Sequence, residues 1–181
     1  MEATAITFSC ILFAAALALI GFRLVASPCC SFLGLLVLSL AKTPEGYPLL
    51  PFSSGLIFGW LCVTVLVTVI TLIQPEAVKN TNRGVWYMTG GAITGMVIGL
   101  MGIFMSSSVN ALYAIMIIAT AAGTFFGFLV YAQTPSGRGV RATSGRFFGY
   151  LSAKGFPIAI TVMQGGAVLA LLMTMHYYSI I

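Results

Sequence analysis

The sequence predicts an all-α integral membrane protein: a polytopic bundle of six transmembrane helices, or of five with one re-entrant segment, in a single domain over residues 1–181. Three observations carry this. Hydrophobic residues make up 60% of the chain and charged residues only 6%, with a mean hydropathy of +1.08, too little charge to clothe a water-soluble surface. Apolar runs of about 20 residues, the length a bilayer crossing needs, recur between short polar breaks. The eight basic residues stand against three acidic ones and gather in a few of those breaks, as loop cations do when they set orientation.

The first run, Ala3 to Phe22, is rich in small residues that let helices approach closely, and it ends at Arg23. Val25-Ala26-Ser27 behind it has the outline of a signal-peptide cleavage site. Met1-Glu2-Ala3 carries no positive charge, however, and the run is nearly a full span, so an uncleaved first helix is expected. The second run, Leu24 to Ala41, has Pro28 early in it and Lys42 at its end, which leaves a crossing or a re-entrant segment open. Pro44, Pro48 and Pro51 then force an irregular connection.

The third run, Gly55 to Gln74, places Thr64, Thr68 and Thr71 at helical spacing and stops at Pro75. Glu76, Lys79 and Arg83 fill the next loop, and Trp86-Tyr87 after it are the rings expected at a headgroup boundary. From Gly84 to Gly137 no charge or His interrupts two apolar runs, 86–105 and 109–132, joined by Ser106-Ser107-Ser108-Val109-Asn110: a membrane hairpin. Residues 134–155 form the longest loop, with a short surface helix expected in part of it. The last run, Phe156 to Met175, ends at His176-Tyr177-Tyr178.

If all six runs cross, Arg23, the 75–85 loop and the 134–155 loop share one face and hold seven of the eight basic residues, leaving Lys42 opposite. By the positive-inside rule the loops 75–85 and 134–155 are cytoplasmic, in a multi-pass cell or inner membrane.

Gly91, Gly95, Gly99 and Gly102 fall within about 80° of one another on a helix, and Thr120, Gly123 and Gly127 within about 60°. Bare backbone on both arms predicts close packing of the hairpin, or else oligomerisation or a substrate path. Gln164-Gly165-Gly166 sits inside the sixth run, where an amide is costly and a glycine pair loosens the helix. One reading is a discontinuous helix with a solute path lined by Gln164, Gly165, Gly166, Thr64, Thr68 and Thr71; the other is a hydrogen bond from Gln164 to one of those threonines. Arg138, Arg141, Arg146 and Lys154, among glycines, suit an anion or an anionic lipid headgroup, or serve only as a topology signal.

Other features point to little. Arg23 reads as a cation snorkelling at a helix end. One His and no Asp leave no metal or haem ligand set, and no cofactor is expected. Cys29-Cys30 superficially resemble the vicinal pair in the first helix of mercuric-ion transport proteins. The likeness covers two residues behind Pro28 in the second run and assigns no family; buried structural thiols are the expectation. With no P-loop, GxSxG, HExxH or paired intramembrane carboxylates, catalysis has no motif. The sequence thus predicts a non-catalytic packing or assembly component, a homo-oligomer or a subunit of a membrane complex. A small-solute transporter or channel is the alternative. The partners are the bilayer and its anionic lipids, not nucleic acid.

Overall fold

A 25-residue helix near the end of the chain organises the fold, because it is the one most of the others pack against. The structure, a computed structural model, describes residues 2–22, 24–42, 53–75, 83–102 and 108–180. Their regular structure is helical: α1 (Glu2–Phe22), α2 (Ser27–Leu40), α3 (Ser54–Ile73), α4 (Val85–Met101), α5 (Val109–Gln133), α6 (Ser144–Tyr150) and α7 (Phe156–Ile180). A 3₁₀ turn, Pro135–Arg141, joins α5 to α6, and a π turn, Leu151–Gly155, runs α6 directly into α7.

Local chemistry sets the boundaries. Ser53 and Ser108 cap α3 and α5 by accepting from the amides of Leu56 and Ala111, both at 3.3 Å. Pro28 lies in the first turn of α2, where its missing N–H costs nothing. This trims the predicted second run to 14 residues, about 21 Å of helix. Gly84 starts α4 at φ 84, the left-handed region, where a side chain would also strike the Tyr131 ring.

Four stretches are long and apolar enough to cross a membrane: Thr4–Phe22, Ser54–Ile73, Asn110–Gln133 and Ser144–Met173. α2 and α4 are shorter apolar helices. The first three candidates are 17–33% buried and the fourth, containing α7, is 67% buried, so α7 is the central pillar. One core layer gathers Leu35, Trp60, Leu112, Met116, Met163 and Leu171; a second gathers Ile20, Met88, Phe128, Tyr150 and Ile158. Three pairs run antiparallel, while α4 and α7 run parallel, Met88 lying by Gly155 and Met96 by Gly166. Ser9 meets Gly34 and Ala16 meets Ser27 across α1 and α2, and Gly91 meets Gly123 and Gly95 meets Ala119 across α4 and α5. Gln74 meets Ser152 and Thr64 meets Gln164 along α3 and the α6–α7 rod.

Two expectations are corrected. The 134–155 segment holds more than the short helix expected in it: a 3₁₀ turn over Pro135–Arg141 comes first, and the helix that starts at Ser144 runs on through the π turn into α7. Nor does α7 break at Gly165-Gly166. Gly166 is instead where Met96 and Met116 press in, so its missing side chain admits neighbours while the helix ladder continues. The irregular stretch lies earlier, and Pro157 accounts for it. Proline has no N–H and its ring clashes with the carbonyl four residues back, and just before it the chain widens so that the Phe156 amide bonds to Leu151, five residues back.

Candidate functional site

The polar groups that a bilayer penalises most converge on α7. Gln164 is completely buried, and its Nε2 donates to the Thr64 hydroxyl at 2.8 Å, which donates in turn to the Trp60 carbonyl at 2.7 Å. Gln164 Oε1 has no hydrogen-bond partner.

One turn earlier, Thr161 faces α2. Its hydroxyl donates to the Pro157 carbonyl at 2.7 Å and lies 2.8 Å from Ser27 Oγ, which donates to the Ala16 carbonyl at 2.9 Å; Ser31 donates to the Thr161 carbonyl at 3.1 Å. The two hydroxyls Ser27 and Thr161 own two hydrogens for three contacts, so one contact always lacks a proton. The cluster is therefore a rotor pair rather than a fixed ladder. Ser9, donating to the Gly34 carbonyl at 2.8 Å, ties α1 to α2 in the same manner. None of Ser9, Ser27, Ser31 and Thr161 was singled out from the sequence. The available signal was their position inside apolar runs, where a hydroxyl persists only if bonded.

The predicted solute path is divided. Thr64 meets Gln164, but Thr68 donates to the Thr64 carbonyl at 2.8 Å and touches Cys29 Sγ at 3.6 Å, while Thr71 bonds back to Val67 at 2.7 Å. Gly165 lies beside Phe13 and Gly166 beside Met96, on other sides of α7 from Thr64. The three cavities whose linings are described omit Gln164: a groove of about 570 Å³ along α4 and α5, a crevice of about 330 Å³ between α1, α4 and α7, and a groove of about 390 Å³ between α3 and α5.

On the hairpin, a side chain at Gly91 would run into the backbone of Gly123, one at Gly95 into Ala119, one at Gly99 into Met116, and one at Gly127 into Tyr87. Gly102 meets only the Ile115 side chain, and Thr120 bonds back to the Met116 carbonyl at 2.7 Å. Ala119 therefore takes the place in the seam that the sequence reading gave to Thr120. Alanine is short enough to do so, but in an Ala-rich helix nothing marks it.

Arg138 and Arg141 project from the 3₁₀ turn three residues apart, which stacks them on one edge, and Arg146 is exposed on α6. Lys154 departs from this group, being buried in the π turn at 2% exposure. The arginine surface is held by aromatic rings. Phe128 meets Phe147 at 4.7 Å and Tyr150 at 5.9 Å, and Tyr131 meets Tyr150 at 5.7 Å, at distances where ring pairs add to burial. Trp86 and Phe148 are both exposed.

Cys29 is exposed and Cys30 half-buried, which corrects the expectation of buried thiols: α2 turns Cys29 toward α3 and Cys30 toward α1, where its thiol donates to the Leu12 carbonyl at 3.4 Å. Arg23 lies outside the described residues, as do the prolines at 44, 48 and 51, Glu76, Lys79 and the His176 side chain. Among the described residues no three His, Cys, Asp or Glu side chains gather. The chain matches no protein-family model, no curated protein and no solved structure.

Proposed function

We propose that the protein is a non-catalytic six-pass membrane component that assembles with a second copy of itself through the outer face of α3. The observation that carries this reading is an uncovered glycine pair. Gly55 and Gly59 have no described atom within 4 Å of where a side chain would stand, whereas at Gly91, Gly95, Gly99, Gly123 and Gly127 a side chain would meet the backbone of the facing arm of the α4–α5 hairpin. Gly55, Gly59, Cys62 and Leu66 fall within about 60° on the helix, opposite Thr64, which tethers α3 to the bundle. Cys62 and Leu66 are exposed. Beside this stripe runs the groove lined by Gly59, Val63, Tyr113 and Ile117. In lipid, helices associate where small residues let backbones approach, and at Gly55 and Gly59 α3 offers bare backbone that no described neighbour fills.

The antiparallel registers support six passes; the clustering of basic residues supports putting the 75–85 loop and the helical 134–155 segment on one cytoplasmic face, where exposed arginines attract anionic headgroups at about 1 kcal/mol each. The carrier reading keeps one favourable observation, the unpaired and fully buried Oε1 of Gln164. The unbroken α7 weighs against it.

The test is energy transfer between differently labelled copies in proteoliposomes. Gly55→Leu with Gly59→Leu should abolish transfer while leaving the unfolding midpoint unchanged. Equal transfer in this variant and the wild type removes the α3 interface.

A further inference from the structure

The groove along α4 and α5 has one charged end. It runs from Tyr87 to Ile98 on α4 and from Val130 back to Ala119 on α5. Its floor is the bare backbone where Gly91 meets Gly123, both half-buried, and its walls, among them Thr94, Ala122 and Phe126, are exposed. Two exposed cations stand at the Tyr87 end. Arg83 precedes Gly84, which packs against the Tyr131 ring, and Arg138 follows Gly137, which packs against the Tyr131 backbone. The Tyr131 ring centre lies 6.0 Å from that of Tyr87. The other end, at Ile98 and Ala119, belongs to a stretch with no charged residue from Gly84 to Gly137.

Dimensions select the occupant. The eleven-residue step from Tyr87 to Ile98 gives the groove a length of about 16 Å, close to the roughly 15 Å of hydrocarbon in one leaflet. Spread over that length, about 570 Å³ leaves a section of roughly 35 Å². A helix about 10–12 Å across needs more than twice as much, whereas a single acyl chain fits. The Thr94 hydroxyl donates to the Gly90 carbonyl at 2.8 Å, so beyond Tyr87 the walls offer no free side-chain donor to a polar ligand. From this geometry we infer that the groove seats one anionic phospholipid of the leaflet at the basic end, with its phosphate at Arg83 and Arg138 and one acyl chain on the glycine floor. The inference rests on the basic segments lying at a headgroup surface, as proposed above. Guanidinium groups hold phosphate through paired hydrogen bonds, and methylenes gain dispersion contact with a fixed backbone that bulk lipid lacks.

The test places the wild-type protein in liposomes doped with phosphatidylglycerol or phosphatidylcholine, each carrying a diazirine midway along one acyl chain, and maps labelled residues by mass spectrometry. Phosphatidylglycerol should label Gly91 and Gly123 at about tenfold lower mole fraction than phosphatidylcholine, a preference of about 1.4 kcal/mol. Ile11 and Leu33, exposed on α1 and α2, should be labelled by both lipids alike. Arg83→Gln with Arg138→Gln should erase the preference at the glycines. Ala122→Phe, which fills the groove from an exposed position, should remove the glycine labels and leave those at Ile11 and Leu33, which also shows the bundle intact. The inference is overturned if phosphatidylglycerol has no preference at Gly91 and Gly123, or if the double arginine variant keeps it. Glycines that neither lipid labels, beside a labelled Leu33, mean that protein covers the groove and overturn it too. Native mass spectrometry of the same samples separates the seat from the wider headgroup reading. Preferred retention of phosphatidylglycerol without preference in the groove overturns the seat alone, and no preference in either overturns both.

Discussion

Replacing Gly95 by alanine isolates the close approach on which the hairpin rests. An alanine Cβ would sit 2.9 Å from the Ala119 carbonyl carbon and 3.2 Å from Gly123 Cα, against about 3.5–4.0 Å for a comfortable carbon contact. The two helices must then part by several tenths of an ångström. A gap of 0.5–1 Å forfeits roughly a quarter to a half of each contact along the seam, and overpacking of this kind costs about 1–3 kcal/mol. Alanine also favours the helix over glycine by about 0.8–1.0 kcal/mol, which offsets part of the loss. Gly90→Ala, on the same helix, gains the same propensity with no described atom in the way. The difference between the two variants cancels propensity and leaves the steric term, so Gly95→Ala should be less stable than Gly90→Ala by about 1–3 kcal/mol. Equilibrium unfolding in mixed micelles with rising SDS, followed by far-ultraviolet circular dichroism, measures it. A difference below about 0.5 kcal/mol, the additivity error for independent sites, would refute the packing argument.

Other outcomes test other joints of the structure. Thr64→Val leaves the Gln164 amide wholly unpaired and should cost about 1–2 kcal/mol, whereas Gln164→Leu removes the unpaired oxygen with the bond and should be within about 1 kcal/mol of wild type; thermal unfolding in detergent separates them. A side chain at position 84 requires left-handed backbone and displaces the Tyr131 ring, so Gly84→Ala should lower stability by at least about 1 kcal/mol by the same measurement. Joint replacement of Arg138, Arg141 and Arg146 by Glu should abolish preferential recruitment of anionic lipid, read by native mass spectrometry of nanodisc-released protein, without altering the circular dichroism spectrum.

The all-helical class and the approximate places of the apolar helices were legible because they depend on composition and run length, which are local. Chain order also gave the hairpin, since short connections leave antiparallel neighbours. Partner choice was not legible in the same way. The glycine stripe of α4 could be read as bare backbone, but that Ala119 and not Thr120 faces it depends on the rotation of α5, which both core layers set together. At Gln164-Gly165-Gly166 local reasoning pointed to a break, because isolated glycines weaken a helix. The packing of Met96 and Met116 against Gly166 overrides that cost, and the irregular turn appears at Pro157, where a missing donor cannot be compensated. The serine stitches of α2 were hidden in plain apolar sequence, since a hydroxyl's value depends on which carbonyl lies opposite.

The assembly reading has its most direct test in Cys62, exposed on α3 three residues beyond Gly59. With Cys10, Cys29 and Cys30 replaced by alanine, copper-phenanthroline oxidation in native membranes should join two chains through Cys62 into a disulfide-linked dimer. Gly55→Leu with Gly59→Leu should prevent it. A chain that stays monomeric under oxidation, with Cys62 still open to alkylation, would contradict self-association through α3.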